Sequence, residues 1–188
     1  STVQQAQMAT QEGANVRVCA VRGNFDDAQT GVKDIFAACK DKDLHGAMLS
    51  SANSINIGRL APQVVYYFRA YGDLVKSGRI RLGDVVDYTV PTGNFGDILA
   101  GYFARQMGLP VGRLICASNA NDVLTEFLTT GRYDKRRPFY KTTSPSMDIL
   151  VSSNLERLLY LVSQDASCVE HLMRELNTQG WYQVSGWM

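Results

Sequence analysis

The sequence has little that would direct it to a membrane, a nucleic acid or a metal ion. No apolar run approaches the roughly 20 residues that a membrane-spanning helix needs. The 19 basic and 18 acidic residues leave a formal net charge of +1, so charge gives no reason to expect nucleic acid or a membrane as partner. There are two histidines, and no cysteine pair has C-x-x-C spacing. The remainder, 188 residues with 45% hydrophobic content, is typical of a globular protein.

The cysteines are widely spaced along the chain. They are Cys19, Cys39, Cys116 and Cys168. This spacing favours buried free thiols over a metal site or a disulfide framework. Free thiols are typical of a reducing compartment, so we expect a cytoplasmic protein.

Strand and helix patterns alternate along the first two thirds of the chain. Apolar and β-branched runs predict strands at about 16–21, 46–50, 84–90 and 112–118. Apolar residues at helical spacing predict helices at about 2–11, 25–40, 56–76, 95–107, 122–129, 154–161 and 167–179. The order indicates βαβ units, hence an α/β fold with a mostly parallel sheet and helices on both faces.

The segment 131–147 interrupts this alternation. It carries five basic residues and two prolines without a clear period, which favours a solvated, insertion-like loop over a phosphate or nucleic-acid patch.

The two ends of the sequence suggest part of a longer chain. The first residue is not methionine, and Gly180–Met188 resembles a structural element separated from its partner. Such a segment would expose apolar side chains such as Tyr66, Tyr67 and Phe68, from which we expect a homo-oligomer.

The most informative stretch is Pro91-Thr92-Gly93-Asn94-Phe95-Gly96-Asp97, between a predicted strand and a predicted helix. A glycine-rich turn at this position directs backbone N–H groups and the positive end of a helix toward one point, which suits a phosphate group. The stretch is neither G-x-G-x-x-G nor a P-loop with its lysine, so spacing alone indicates only a phosphate-sized anion site.

A second polar junction, at 50–59, follows the predicted strand at 46–50. It contains more serine and asparagine residues than one helix cap requires, and Arg59 lies one turn into the following helix. An arginine placed there is able to bind an anion held at the helix start.

Four stretches together resemble threonine synthase, a pyridoxal-phosphate enzyme of fold type II. They are residues 1–8, Asn53-Ser54-Ile55-Asn56 with Arg59, 91–101, and Ser144-Pro145-Ser146-Met147-Asp148. The resemblance implies that residues 1–45 are the remainder of a small cofactor domain and that 46–188 are part of a large domain.

The resemblance also implies roles for individual residues. The turn Gly93, Asn94, Phe95, Gly96 and Asp97 would hold the phosphate of pyridoxal 5'-phosphate. Asn53, Ser54 and Arg59 would bind the phosphate of the substrate, O-phosphohomoserine, which the family converts with water to threonine and phosphate. Asn56 would cap or brace the helix.

The resemblance implies a catalytic lysine that this sequence does not contain. The family's Schiff-base lysine follows a phenylalanine and precedes an aspartate, and none of the six lysines here has that context. We therefore expect no catalytic residue in this chain and no turnover by the chain alone. Two alternatives stay open: another fold type II lyase or dehydratase, and a non-catalytic binding or assembly module.

Overall fold

The computed structural model describes residues 2–23, 25–52, 56–184 and 186. Its helices are α1 (Thr2–Ala9), α2 (Phe25–Cys39), α3 (Ile57–Leu60), α4 (Val64–Lys76), α5 (Gly96–Gln106), α6 (Val123–Thr130), α7 (Leu155–Ser163) and α8 (Ala166–Thr178). Its strands are β1 (Val86–Pro91), β2 (Val111–Ala117), β3 (Arg132–Asp134) and β4 (Trp181–Gln183). Short 3₁₀ turns cover Ala61–Gln63 and Pro145–Met147. None of the helices in these described ranges is long and apolar enough to cross a membrane.

A βαβ unit forms the centre of the protein. β1 and β2 pair in parallel, with Val90 opposite Cys116 and Pro91 opposite Ala117, and α5 connects them. The inner face of α5 is small and apolar, and Leu99, Ala100 and Ala104 have no exposed surface. This unit confirms the predicted α/β class, and its parallel strands end together beside the first turn of α5.

Helix α4 packs on α5, and the 3₁₀ turn at Ala61–Gln63 separates it from α3 within the helix predicted at 56–76. Pro62 lies in the 3₁₀ turn before α4, and proline has no N–H to continue an α-helical ladder. Tyr67 is buried and its hydroxyl donates to the carbonyl oxygen of Asp97 at 2.8 Å. The expectation that Tyr67 is exposed with its neighbours is therefore wrong, whereas Tyr66 and Phe68 are exposed.

The contact between α4 and α5 depends on the absence of a side chain at Gly101. A Cβ atom there would lie 2.7 Å from two ring carbons of Tyr67 and 2.9 Å from Leu114. Because the Tyr67 hydroxyl is bonded to the start of α5, the ring cannot move away freely. Gly101→Ala is expected to lower the free energy of unfolding of the protein by about 1–3 kcal/mol, measured by chemical denaturation.

The matched control for this substitution is Gly72→Ala on the neighbouring helix. A Cβ at Gly72 meets nothing within 4 Å, so alanine should raise stability there by about 0.5–1 kcal/mol through helix propensity. Equal stabilisation by both substitutions would contradict the close packing at Gly101.

Strands β3 and β4 form an antiparallel pair, with Tyr133 opposite Tyr182. Their rings stack at 5.3 Å between centroids, and Phe127 of α6 meets both rings edge-on at 5.8 Å. The segment Gly180–Met188 was expected to lack the element that it packs against. This expectation is wrong for β4, the strand that the segment contains. The partner is β3, which lies inside the segment predicted as a loop.

The three arginines of 131–147 are engaged in ion pairs within the protein. Asp134 binds Arg132 at 3.0 Å and Arg136 at 2.7 Å, and these bonds hold the pKa of the Asp134 carboxyl well below its usual range. Arg137 pairs with Asp122 at 2.7 Å and with Glu126. These pairs leave less positive charge for an external anion than the sequence suggests.

The first fifty residues carry the largest errors of the sequence-based predictions. Residues 16–21 and 46–50 are not strands, because no described strand lies beside them to accept their hydrogen bonds. Val18 and Val21 are more than half exposed. The expected burial of all four cysteines is also wrong, since Cys19 and Cys168 are exposed.

Candidate functional site

A cleft opens where β1 ends and α5 begins. Its volume is about 540 Å³. Its lining consists of Ala52, Arg59, Gln63, Pro91, Thr92, Gly93, Asn94, Phe95, Gly96, Asp97, Ile98, Ser146 and Met147. All five residues predicted for the glycine-rich turn, together with Arg59, thus line one cleft. This position is the carboxyl end of a parallel strand, where α/β proteins bind ligands.

The chain reverses into α5 through a left-handed residue, Phe95, with φ 63° and ψ 6°. A bulky residue rarely adopts this conformation, and here burial of the Phe95 ring in the core offsets the strain. Thr92 prolongs the strand pairing, because its N–H donates to the Ala117 carbonyl at 2.8 Å. The turn is therefore held at both ends.

Five consecutive N–H groups, from Gly93 to Asp97, donate to no acceptor among the described residues. The last two belong to the first turn of α5, whose 11 residues add a partial positive charge at this end. Unpaired backbone donors next to a helix start form a favourable environment for an anion.

The carbonyl groups of the same turn are fixed from behind. Ser152 Oγ donates to the Gly93 carbonyl oxygen at 2.7 Å. Both the backbone N–H and the side-chain Nδ2 of Asn154 donate to the Asn94 carbonyl oxygen at 3.0 Å. Ser152 and Asn154 are buried. These bonds fix the carbonyl groups of the turn. The N–H groups of the turn take no part in them and stay unpaired among the described residues.

The segment 144–148 forms one wall of the cleft. A Cβ atom on Gly93 would lie 3.3 Å from the carbonyl oxygen of Ser146, so a larger residue would push the two segments slightly apart. Asp148 is buried and anchors the wall, since its carboxylate accepts bonds from Thr142, Asn119 and Asn121 at 2.7–3.2 Å. Burial alone would raise the pKa of Asp148, but these hydrogen bonds outweigh it and the pKa is lowered.

Arg59 contributes a cationic group to the lining of the cleft. Among the described residues it has no carboxylate partner. Asn56 caps the helix that carries Arg59: its Oδ1 accepts from the Gly58 N–H at 2.9 Å, and its Nδ2 donates to the Ser51 carbonyl at 2.9 Å. The predicted capping role of Asn56 is thus confirmed. Asn53 and Ser54 lie outside the described residues.

Three side-chain oxygens of the cleft residues are buried without a hydrogen-bond partner in the described part of the chain. They are Oε1 of Gln63, Oδ1 of Asn94 and Oδ1 of Asp97. Burial raises the pKa of the Asp97 carboxyl, and the nearby Tyr67 hydroxyl opposes this shift. Buried polar atoms in native proteins are almost always satisfied, so these acceptor oxygens require a partner that donates hydrogen bonds, from a ligand or from ordered water.

Sequence reasoning missed the residues that support the turn. Ser152 and Asn154 lie about sixty residues further along the chain, and no local pattern marks them. Gln63 was also missed, although its position four residues after Arg59 on a helical pattern was a usable signal.

Known proteins with similar sequence and structure include threonine synthases. The threonine synthase of Pseudomonas aeruginosa is 47% identical, over 98% of this chain and 38% of that protein. Threonine synthase-like 1 of Homo sapiens is 47% identical, over 98% of this chain and 26% of that protein. This chain is homologous to a segment of the threonine synthases. The sequence resemblance is thereby confirmed.

The structural comparison agrees. The crystal structure of PLP-bound threonine synthase from Brucella melitensis matches with a TM-score of 0.80 at 47% identity, covering 99% of this chain and 39% of that one. No protein-family model matches the chain. The chain therefore spans between a quarter and two fifths of the length of the threonine synthases and threonine synthase-like proteins described here.

Proposed function

We propose that this chain is the part of a threonine synthase that binds two phosphate groups in one cleft. The proposal rests on one observation: the N–H groups of 93–97 and the guanidinium of Arg59 line the same cleft, and none of them has an acceptor or a carboxylate partner among the described residues. The substrate would be O-phosphohomoserine, and the whole protein, a lyase, would convert it with water to threonine and phosphate. Cytoplasmic location and assembly into a homo-oligomer are parts of the same proposal.

The cofactor proposed is pyridoxal 5'-phosphate, and the turn has the chemistry to hold its phosphate. Gly93, Asn94, Phe95, Gly96 and Asp97 would bind through backbone N–H groups, a set of donors that no described protein acceptor uses. The cofactor, when bound, supplies the electron sink for proton removal from the substrate. The fold type II architecture and the division at about residue 45 between a small and a large domain belong to this proposal.

The chain's own residues would bind and orient the leaving phosphate. Arg59 provides a planar, permanently charged donor, which suits two phosphate oxygens at once. Asn53 and Ser54 are proposed as its partners from the sequence. Holding the leaving group aligns the breaking C–O bond, and positioning of this kind is a large part of enzymatic rate enhancement.

The lysine that anchors the cofactor is proposed to lie outside this chain. None of the six lysines in the sequence has the expected context. The isolated chain is therefore expected to be inactive, and a full-length protein that contains the lysine is expected to show the visible absorption of bound cofactor.

Arg59→Ala in the full-length protein tests the substrate-phosphate assignment. Loss of a charge-assisted hydrogen bond to phosphate should raise KM for O-phosphohomoserine roughly 10-fold to 100-fold, with cofactor content unchanged. The measurement is phosphate release at varied substrate concentration. Arg105→Ala, an exposed arginine at the far end of α5, is the matched control and should leave KM unchanged.

The same assay separates the proposal from its alternatives. A dehydratase or another lyase with an uncharged leaving group would not depend on Arg59 for its own substrate. A binding or assembly module would release no phosphate in any variant. Unchanged affinity and turnover in Arg59→Ala would show that Arg59 does not bind the substrate phosphate.

A further inference from the structure

Gln63 lies beside Arg59 on the same side of a helical path. Leu60, Ala61 and Gln63 all have right-handed helical backbone angles, so the side chains at 59 and 63 point in a similar direction. Both residues line the cleft. The 3₁₀ turn at Ala61–Gln63 therefore does not separate Gln63 from the anion site.

The amide of Gln63 has unused hydrogen-bonding capacity. Its Oε1 is fully buried without a partner, and its Nε2 donates to no acceptor within the described ranges. Rotation of the amide by 180° exchanges these two atoms with almost no change of shape, so either atom is able to face the cleft. Only Oε1 is buried, whereas Nε2 is accessible to solvent and is able to exchange water for a ligand.

The charge around Gln63 defines the ligand class. Arg59 and the five N–H groups at 93–97 attract an anion, and a neutral amide is able to donate to that anion without repelling it. Asp97, at the start of α5, is the only carboxylate among the described cleft-lining residues. Apart from Asp97, the described residues that line the cleft are positive or neutral.

We propose that Gln63 is a specificity-determining contact residue, whose amide donates to a phosphate oxygen of the substrate beside Arg59. This proposal rests on the proposed function and adds a residue to it. Arg59 supplies the attraction for the charge, and Gln63 supplies a directed bond that distinguishes a phosphate ester from a leaving group of another shape.

The test uses Gln63→Glu and Gln63→Met in the full-length protein. Glutamate has the same shape but places a negative charge against the phosphate, and methionine keeps the volume but cannot donate. Gln63→Glu should raise KM for O-phosphohomoserine and the inhibition constant of inorganic phosphate at least roughly 10-fold, and Gln63→Met should raise both about 3-fold to 10-fold. Cofactor content and the unfolding temperature should not change.

Gln106→Glu is the matched control. Gln106 is exposed at the last residue of α5, ten residues from the cleft end of that helix, and carries the same change of charge. It should leave both constants unchanged.

The outcomes distinguish this proposal from the proposed function. Unchanged constants in both Gln63 variants, with a raised KM in Arg59→Ala, would overturn the role of Gln63 alone. Unchanged constants in all three variants would overturn the phosphate site as a whole. A loss of cofactor or of stability in the Gln63 variants, without any change in phosphate affinity, would also overturn the proposal, because Gln63 would then be structural.

Discussion

Replacement of Asp148 by alanine is expected to lower the free energy of unfolding of the full-length protein by about 3–5 kcal/mol. The carboxylate accepts four hydrogen bonds, two from Thr142 and one each from Asn119 and Asn121. Removal of this buried acceptor leaves several donors without their partner, and such losses are larger than the net value of each bond. Urea denaturation at neutral pH measures the change.

The same substitution should weaken cofactor binding. Asp148 holds the segment that lies against Gly93, so its loss frees one wall of the cleft. Cofactor content after dialysis should therefore fall in Asp148→Ala. Asp73→Ala removes an exposed carboxylate from an i, i+4 pair with Arg69 and is the matched control, with a small expected effect on stability and none on cofactor content.

The effect of Asp148 should depend on pH in a defined direction. Because the folded-state pKa of Asp148 is lowered, its carboxylate contributes stability that is fully present above the unfolded-state pKa of about 3.9. That contribution is lost as the pH falls through the lower folded-state pKa. The stability difference between wild type and Asp148→Ala should thus shrink below about pH 4, and a constant difference would show that the hydrogen bonds do not favour the charged form.

Truncation of Tyr182 to alanine is the second substitution with a large expected effect. The Tyr182 ring is 1% exposed, stacks on Tyr133 and meets Phe127 edge-on. Removing it leaves a cavity between β3, β4 and α6, at a cost of about 3–5 kcal/mol in the free energy of unfolding. Thermal or chemical unfolding of the full-length protein measures this loss.

Tyr182→Phe separates the ring from the hydroxyl. Among the described residues the Tyr182 hydroxyl has no hydrogen-bond partner, and burial raises its pKa, so Tyr182→Phe should be close to neutral in stability. If Tyr182→Phe destabilised the protein as much as Tyr182→Ala, the ring stack would not be the source of the stability.

The elements that the sequence predicted well are those whose pattern is local. The boundaries of β1 and α5 agree with prediction to within about two residues at each end, since a β-branched run, two glycines and an apolar helical period all lie in adjacent positions. The cap at Asn56 is similarly local. The placement of Arg59 and the turn 93–97 in one cleft followed from the resemblance and from the rule that ligands bind at strand ends.

The errors concern pairings between distant residues. Strand β3 has three residues inside a basic, proline-containing segment, too short to show a period of two, and its partner β4 lies about fifty residues away. Val18 and Val21 have strand-forming side chains but no described neighbouring strand, and propensity alone does not make a strand. Ser152 and Asn154 were missed for the same reason, because their partners are carbonyl groups that carry no side-chain signal.

The bonds from Ser152 and Asn154 to the turn at Gly93 also bear on how the protein folds. They join residues 59 and 60 positions apart, so the turn acquires its final shape only after a long stretch of chain has been brought back to β1. Closure of such a loop carries an entropic cost that must be met before the contacts form, and contacts of this range slow folding. The βαβ unit is therefore able to form early from its own residues, while a rigid anion site arises late, when the C-terminal segment docks.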